Sequence, residues 1–285
     1  MTLTLRRGTP ADAGECGRIC YEAFRTIADR HGFPPDVPSV GVAEGFVGSL
    51  LVRGDVYSVV AERDGRIVGS NFLWESAPVS GVGPITVDPT VQDAAVGRRL
   101  MQDVLSRARE TRAPGVRLVQ AAYHCRSLSL YAKLGFVVRE PLANLQGPAL
   151  GLSIPGRQVR AALGRDLEAC NRLCRAVHGH EREGELRAAV VQGTASVVEH
   201  DGRISGYTTG LGFFGYSVGE TNDDLQALIG AATEFAGPGL LVPMPNAPLF
   251  AWCLAHGLRV VQPLTLMSLG LYNEPAGAFL PSILY

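Results

Sequence analysis

Apolar residues recur every four positions at Val96, Leu100, Val104 and Ala108, with Met101 and Leu105 widening the stripe. This spacing predicts an amphipathic helix over about 94–110 whose apolar face packs on a sheet. The same reading predicts helices near 11–29, 40–51 and 127–133, and strands near 2–6, 56–62, 66–76, 83–87, 116–122 and 136–142. Asp64-Gly65 between two strands is a two-residue hairpin turn. Helices and strands alternate irregularly, so the fold class is mixed, α/β with a mixed sheet.

The pattern then repeats. Arg6, Asp12, Cys16, Arg18 and Cys20 reappear as Arg160, Asp166, Cys170, Arg172 and Cys174. Asp64-Gly65-Arg66-Ile67 returns as Asp201-Gly202-Arg203-Ile204, and Leu134-Gly135-Phe136-Val137-Val138 resembles His256-Gly257-Leu258-Arg259-Val260-Val261. Each match is weak alone, but their shared order implies duplication. The offset falls from 154 to 137 to about 122, so the second copy lacks residues mainly around 27–55 and 83–105. Residues 141–155, rich in Pro and Gly, read as a connection. The expected division is a first domain at 1–142, a linker at 143–156 and a second domain at 157–285.

Composition narrows the picture. The formal charge of −1 over 285 residues gives no reason to expect a nucleic-acid or anionic-membrane partner. The start lacks the apolar core of a signal peptide and no later stretch suits a bilayer span, so a cytoplasmic location is expected. The six cysteines include no Cys-x-x-Cys pair and read as buried small hydrophobes rather than disulfides or metal ligands; no metal site is expected.

Chemistry concentrates before the 94–110 helix, in Val87-Asp88-Pro89-Thr90-Val91-Gln92-Asp93-Ala94-Ala95-Val96-Gly97-Arg98-Arg99. Small side chains at Ala94, Ala95 and Gly97 let the backbone approach a ligand. The first helical amides lack intrahelical partners, the helix dipole is positive there, and Arg98 and Arg99 add full charges. Such a turn suits a phosphate group.

Gln92-Asp93-Ala94-Ala95-Val96-Gly97 resembles the signature of the GNAT N-acetyltransferase superfamily: Gln or Arg, two residues, Gly, one residue, then Gly or Ala. Ser127-Leu128-Ser129-Leu130-Tyr131-Ala132-Lys133-Leu134-Gly135-Phe136 also resembles the family's pattern near the end of its fold. The resemblance implies two tandem GNAT-like acyltransferase domains, the second degenerate, using acetyl-CoA as acyl donor. It implies that residues 92–99 cradle the coenzyme A pyrophosphate, and that Ile85 and Val87 hold the pantetheine arm by backbone pairing. It implies further that Arg126 and Lys133 meet the adenosine phosphates, that Ser129 and His124 border the cofactor, and that Tyr131 protonates the departing thiolate. From the residues alone, Tyr131 also fits core packing. Ala95 replaces the signature's first Gly, which is tolerable at a helical backbone angle and harmful if a positive φ is required. His124-Cys125 replaces a more usual Asn; His124 donates to the cofactor, acts as a base, or simply ends a strand.

Attack on a thioester needs a neutral amine, hence a base. Glu75 is the first candidate and the carboxylate of Tyr285 the second. The second copy has Gly219-Glu220-Thr221-Asn222-Asp223-Asp224 where the first has its phosphate turn, and Cys253 where the first has Tyr131. Its carboxylates repel phosphate, so it is expected to shape the substrate cleft, support the first copy or mimic half of a dimer, with Phe213, Phe214, Tyr216, Phe250 and Trp252 in its core. The function expected is transfer of an acetyl group to a primary amine, on a small molecule or peptide, by a pseudo-dimeric monomer or a homodimer. The alternatives are a non-catalytic acyl-CoA sensor and a scaffold for a protein partner. Residues 27–55, absent at full length from the second copy, are expected to line the acceptor cleft.

Overall fold

The structure, a computed structural model, describes residues 3–91 and 95–284. The first half runs β1 (Leu3–Arg7), α1 (Ala13–His31), α2 (Val40–Leu51), β2 (Val56–Arg63), β3 (Arg66–Trp74), β4 (Ser80–Val82), β5 (Thr86–Val87), α3 (Val96–Glu110), β6 (Gly115–Ala121), α4 (Cys125–Lys133) and β7 (Val137–Gln146). The second half runs β8 (Gln158–Ala161), α5 (Leu167–His178), α6 (Glu183–Gln192), β9 (Ser196–His200), β10 (Arg203–Thr208), β11 (Ser217–Gly219), α7 (Asn222–Ala231), β12 (Leu240–Pro243), α8 (Ala247–Ala255), β13 (Arg259–Gly270) and β14 (Ala278–Leu280).

The periodic helix forms as the stripe requires. All six of its apolar stripe residues are buried in α3, in one core with Val59, Leu73 and Leu118 of the sheet beneath. Gly17 lets α1 and α2 touch: a Cβ there would lie 2.4 Å from Glu44 Cα. The left-handed Gly32 ends α1, its N–H turned back to the Ala28 and Asp29 carbonyls.

The duplication is visible atom by atom. Arg6 bridges Asp12 at 2.7 Å and donates to Glu62 at 2.8 Å, tying β1 to the start of α1 and to β2. Arg160 does the same with Asp166 at 2.6 Å and Glu199 at 2.8 Å. Asp64 and Asp201 open their hairpins at φ 50° and 49°, and Gly135 and Gly257 both leave their helices near φ 93°. The missing residues also have a place: α1 spans 19 residues against 12 in α5. The long passage from β4 to α3 shrinks to Glu220 and Thr221 between β11 and α7.

The halves nevertheless do not own separate sheets. One sheet runs β1-β2-β3-β4-β6-β13-β7-β12, with β5 against β3; the other runs β14-β11-β10-β9-β8. Strand β13 pairs antiparallel with both β6 and β7, displacing β7 from β6, and β7 in turn pairs with β12. The halves thus exchange their late strands. Accordingly β7 continues to Gln146, four residues into the stretch read as linker, because Leu142, Ala143, Asn144 and Leu145 are buried between two strands of the second half. The predicted strand at 83–87 is shortened to Thr86–Val87, after a cis peptide at Gly83-Pro84.

Candidate functional site

The sheet splits between β4 and β6. These strands pair in parallel only at Ser80 with Val116 and Gly81 with Arg117, after which the chain turns away so that β5 pairs with β3. Trp74 Nε1 donates to Gly83 O at 2.8 Å and fixes that departure. The Asp88 N–H bonds to Val68 O on β3, and strand alternation therefore turns the Val87 N–H the other way, into the split. A cavity of about 790 Å³ opens there, lined by residues 82–87, 95–98 and 118–121, by α4, by the far half of α1 and by Asp36.

The cavity gathers Ile85, Val87, Ala95, Val96, Gly97, Arg98, His124, Arg126, Ser129, Tyr131 and Lys133, from segments scattered over fifty residues. Gly97 faces Val87 Cγ2 and Leu130 Cδ2 at 3.7 and 3.6 Å from the position a Cβ would take, so a larger side chain would fill the passage between α3 and α4. The guanidinium and ammonium groups of Arg98, Arg126 and Lys133 make the α3–α4 side of the cavity cationic. Ser129 donates to Cys125 O at 2.8 Å. Tyr131 is 6 % exposed, its ring edge-on to Phe136, and burial pushes its phenol well above the ordinary value, so it stays protonated through neutral pH. His124 is held below its usual range by burial and then by the nearby Arg126 charge, which keeps it neutral. Gln92, Asp93 and Ala94 lie outside the described residues, as does Tyr285.

Two expected positions lie elsewhere. Arg99 points away from the cavity and donates to Leu3 O at 2.7 Å; adjacent helical residues diverge by about 100°, so Arg98 and Arg99 do not share a direction. Glu75 does not line the cavity. Arg107 of α3 holds it through two hydrogen bonds of 2.8 and 3.2 Å, so its carboxylate is committed to joining β3's end to the helix.

Ala95 adopts φ 59° and ψ 11°, the left-handed region that alanine in place of the signature's glycine makes costly. The left-handed conformation costs a non-glycine residue about 1 kcal/mol. Ala95→Gly is expected to raise the melting temperature by about 1 °C, the strain relief being partly offset by unfolded-state entropy. A fall in melting temperature on calorimetric scanning would show the strain to be absent.

The sequence reading missed Asp36. It is half-buried, lines the cavity, and accepts a 2.7 Å hydrogen bond from Gln262 of β13. Gln262 accepts in turn from the Tyr123 hydroxyl at 3.1 Å, and Phe33 stacks on Tyr123 at 4.3 Å. Burial raises the Asp36 carboxyl above its ordinary value. Among the described lining residues it is the only carboxylate. Its one sequence signal was its place directly after His31-Gly32-Phe33-Pro34-Pro35, in the segment expected at the acceptor cleft. Phe213 is buried in the core with Leu241 and Leu264, as expected, and also reaches this cavity, whereas Phe214, expected in the core, lines the cavity 47 % exposed and 5.2 Å from Phe46 of α2.

At the second half's own helix start a side chain takes up the anion's place. Asp224 accepts from Thr221 N at 2.9 Å and from Thr221 Oγ1 at 3.0 Å, so its own carboxylate caps α7. It also receives Arg157 Nε at 2.8 Å. Glu220 is paired with Arg203, and Cys253 is buried in the core.

A sheet split beside a helix start, with a buried tyrosine lining the same cavity, is the arrangement that the resemblance to the GNAT superfamily implies. Residues 54–138 match the acetyltransferase (GNAT) domain model. The overall fold is that of tandem GNAT proteins. It resembles the IAA acetyltransferase of Azospirillum brasilense, at 30% identity over 94 residues, which are 32% of this chain and 61% of that protein. The chain therefore spans less than two thirds of that relative's length. A Pyrococcus horikoshii protein provisionally named an acetyltransferase superposes with a TM-score of 0.72 at 18% identity, covering 97% of this chain and 94% of that one. The GCN5-related N-acetyltransferase of Sphaerobacter thermophilus gives 0.61 at 16%, covering 95% and 96%. A tandem GNAT protein from the clavulanic acid biosynthesis pathway gives 0.56 at 16%, covering 94% and 98%. At these identities the structural likeness concerns the fold. No described helix is long and apolar enough to cross a membrane.

Proposed function

We propose that this chain is an acetyl-CoA-dependent N-acetyltransferase that acetylates a primary amine by direct attack, with its cofactor site in the first half only. The observation that carries the reading is the convergence, on one cavity, of the Val87 N–H, the start of α3 with Arg98, and Tyr131. These residues fit coenzyme A: a free strand amide suits an amide-bearing arm, and helix-start amides backed by cations suit a diphosphate. The cofactor supplies an activated acyl carbon and a thiol leaving group.

Residues 85 and 87 orient the arm along β5. Arg98 and the amides of the α3 turn, to which we also assign 92–94, neutralise phosphate charge, with Arg126 and Lys133 beyond them; Ser129 and His124 border the same passage. Tyr131 gives a proton to the departing sulfur, a role suited to a phenol that burial keeps neutral. The division at 1–142 and 157–285 is part of this reading, the second unit supplying wall and support rather than a second site. So is a cytoplasmic location, where acetyl-CoA and free thiols belong. The test is release of free thiol from acetyl-CoA in the presence of a panel of primary amines. Amine-dependent release supports transfer, whereas cofactor binding with no release across the panel reduces the chain to a binding protein.

A further inference from the structure

Resting on the acetyltransferase reading, we propose that the acceptor is a primary monoamine with an apolar or aromatic body, its nitrogen held on Asp36 and its body on a wall that the two halves build together.

The cavity has two unlike sides. Cations gather beside α3 and α4, where the donor's phosphates would lie. Away from them lies an apolar stretch, Phe24 and Ile27 from α1, Phe46 from α2, and Phe213, Phe214 and Ile283 from the second half, although Thr26, Arg30 and His31 of α1 also reach the cavity. Phe46 meets Phe214 at 5.2 Å, so this wall is continuous across the two halves. Phe214 keeps 47 % of its surface exposed although large apolar side chains are favoured in cores. A ligand with an apolar body would cover it.

Asp36 supplies the one negative charge among the described lining residues. Gln262 is 1 % exposed and fully engaged between Asp36 and Tyr123, so it fixes the carboxylate's direction and acts as a positioning residue. One carboxylate neutralises one ammonium. A polyamine would leave its further charges against phenyl rings and guanidinium groups, unpaired and partly desolvated. An α-amino acid held by its nitrogen would bring its own carboxylate up against Asp36, and like charges that close repel. A peptide would set backbone amides against an apolar wall that offers them no partners.

The step balances. The ammonium proton passes to Asp36 and the freed nitrogen forms a bond to the acetyl carbon. The carbon–sulfur bond then breaks as Tyr131 gives its proton to the departing sulfur, and the second proton that the new amide nitrogen sheds restores the phenol.

The test measures thiol release with 2-phenylethylamine, spermidine, L-phenylalanine and a short peptide with a free amino terminus, alongside calorimetry with coenzyme A. The expected result is a kcat/KM for 2-phenylethylamine at least about tenfold above the other three. Asp36→Asn, nearly isosteric, should lower it about a hundredfold at unchanged coenzyme A affinity. Phe214→Ala, at an exposed position, should raise KM for 2-phenylethylamine several-fold and leave KM for propylamine little changed. Preference for spermidine, the amino acid or the peptide overturns the proposal. Full activity of Asp36→Asn overturns it as well, as does bound coenzyme A with no transfer to any of these amines, which leaves the cofactor site standing. Failure to bind coenzyme A removes the underlying reading instead.

Discussion

Replacing Tyr131 with phenylalanine is expected to slow acetyl transfer about a hundredfold while leaving coenzyme A affinity within about twofold of the native value. The substitution removes only the hydroxyl. The ring retains its packing on Phe136 and the α3 core, so the fold and the cavity walls persist. What is lost is the proton that the leaving thiolate needs, and general acid catalysis by a placed side chain is worth about 10²–10⁴ in rate. The split between kcat and affinity separates this role from packing: a structural role would weaken binding and lower thermal stability together. Because burial raises the phenol, the alkaline limb of the native pH–rate profile should not set in at the ordinary tyrosine value of 10. Steady-state kinetics of both proteins, with calorimetry for the cofactor, provide the comparison. Equal turnover by the variant removes Tyr131 from the reaction.

The largest effect on stability is expected far from the cavity, at Asp224. Its carboxylate is fully buried and accepts from Arg157 Nε, Ser205 Oγ, Thr221 N and Thr221 Oγ1 at 2.7 to 3.0 Å. The Arg157 side chain is itself only 10 % exposed, and its remaining acidic neighbour, Asp223, lies at 3.8 Å. Asp224→Ala would remove that guanidinium's close carboxylate and uncap α7. Breaking one side of a buried pair costs about 3–5 kcal/mol, a large share of a typical domain's stability. Adding Arg157→Leu to Asp224→Ala should restore part of the loss, because the buried charge left with only the distant Asp223 to balance it is then gone. Urea unfolding of the single and double variants measures both effects. A loss below about 1 kcal/mol for Asp224→Ala, or no recovery in the double variant, would show that the pair carries little.

The carboxylates at this position were legible as a replacement for a phosphate turn, and the structure adds how the replacement works. A capping aspartate takes the Thr221 amide and places its own negative charge where an anion would otherwise sit. Local periodicity likewise revealed α3, and the Arg6 and Arg160 networks show why the repeat in sequence order was a real duplication rather than chance. What sequence could not reveal was non-local. An antiparallel β13 has the same alternation whether it lies beside β7 alone or between β6 and β7, so the exchange of late strands left no mark in the pattern. Asp36 sits in a Pro-rich connection without periodicity, and its meaning comes from Gln262, more than two hundred positions away. Phe214 read as core because aromatic residues usually are; the exchange and the loop after β10 bring it to the cavity. Glu75 looked available at a strand end, and only the fold brings Arg107 to it. Arg98 and Arg99 were indistinguishable until the rotation of α3 sent one to the cavity and the other to β1.

One cofactor site, confined to the first half, is the premise on which the function rests, and isothermal titration calorimetry with coenzyme A tests it most directly. A single molecule should bind per chain, about tenfold more weakly to an Arg98→Ala variant, since one lost charge-assisted contact is worth about 1.4 kcal/mol. A flat isotherm, or two molecules bound per chain, would contradict it.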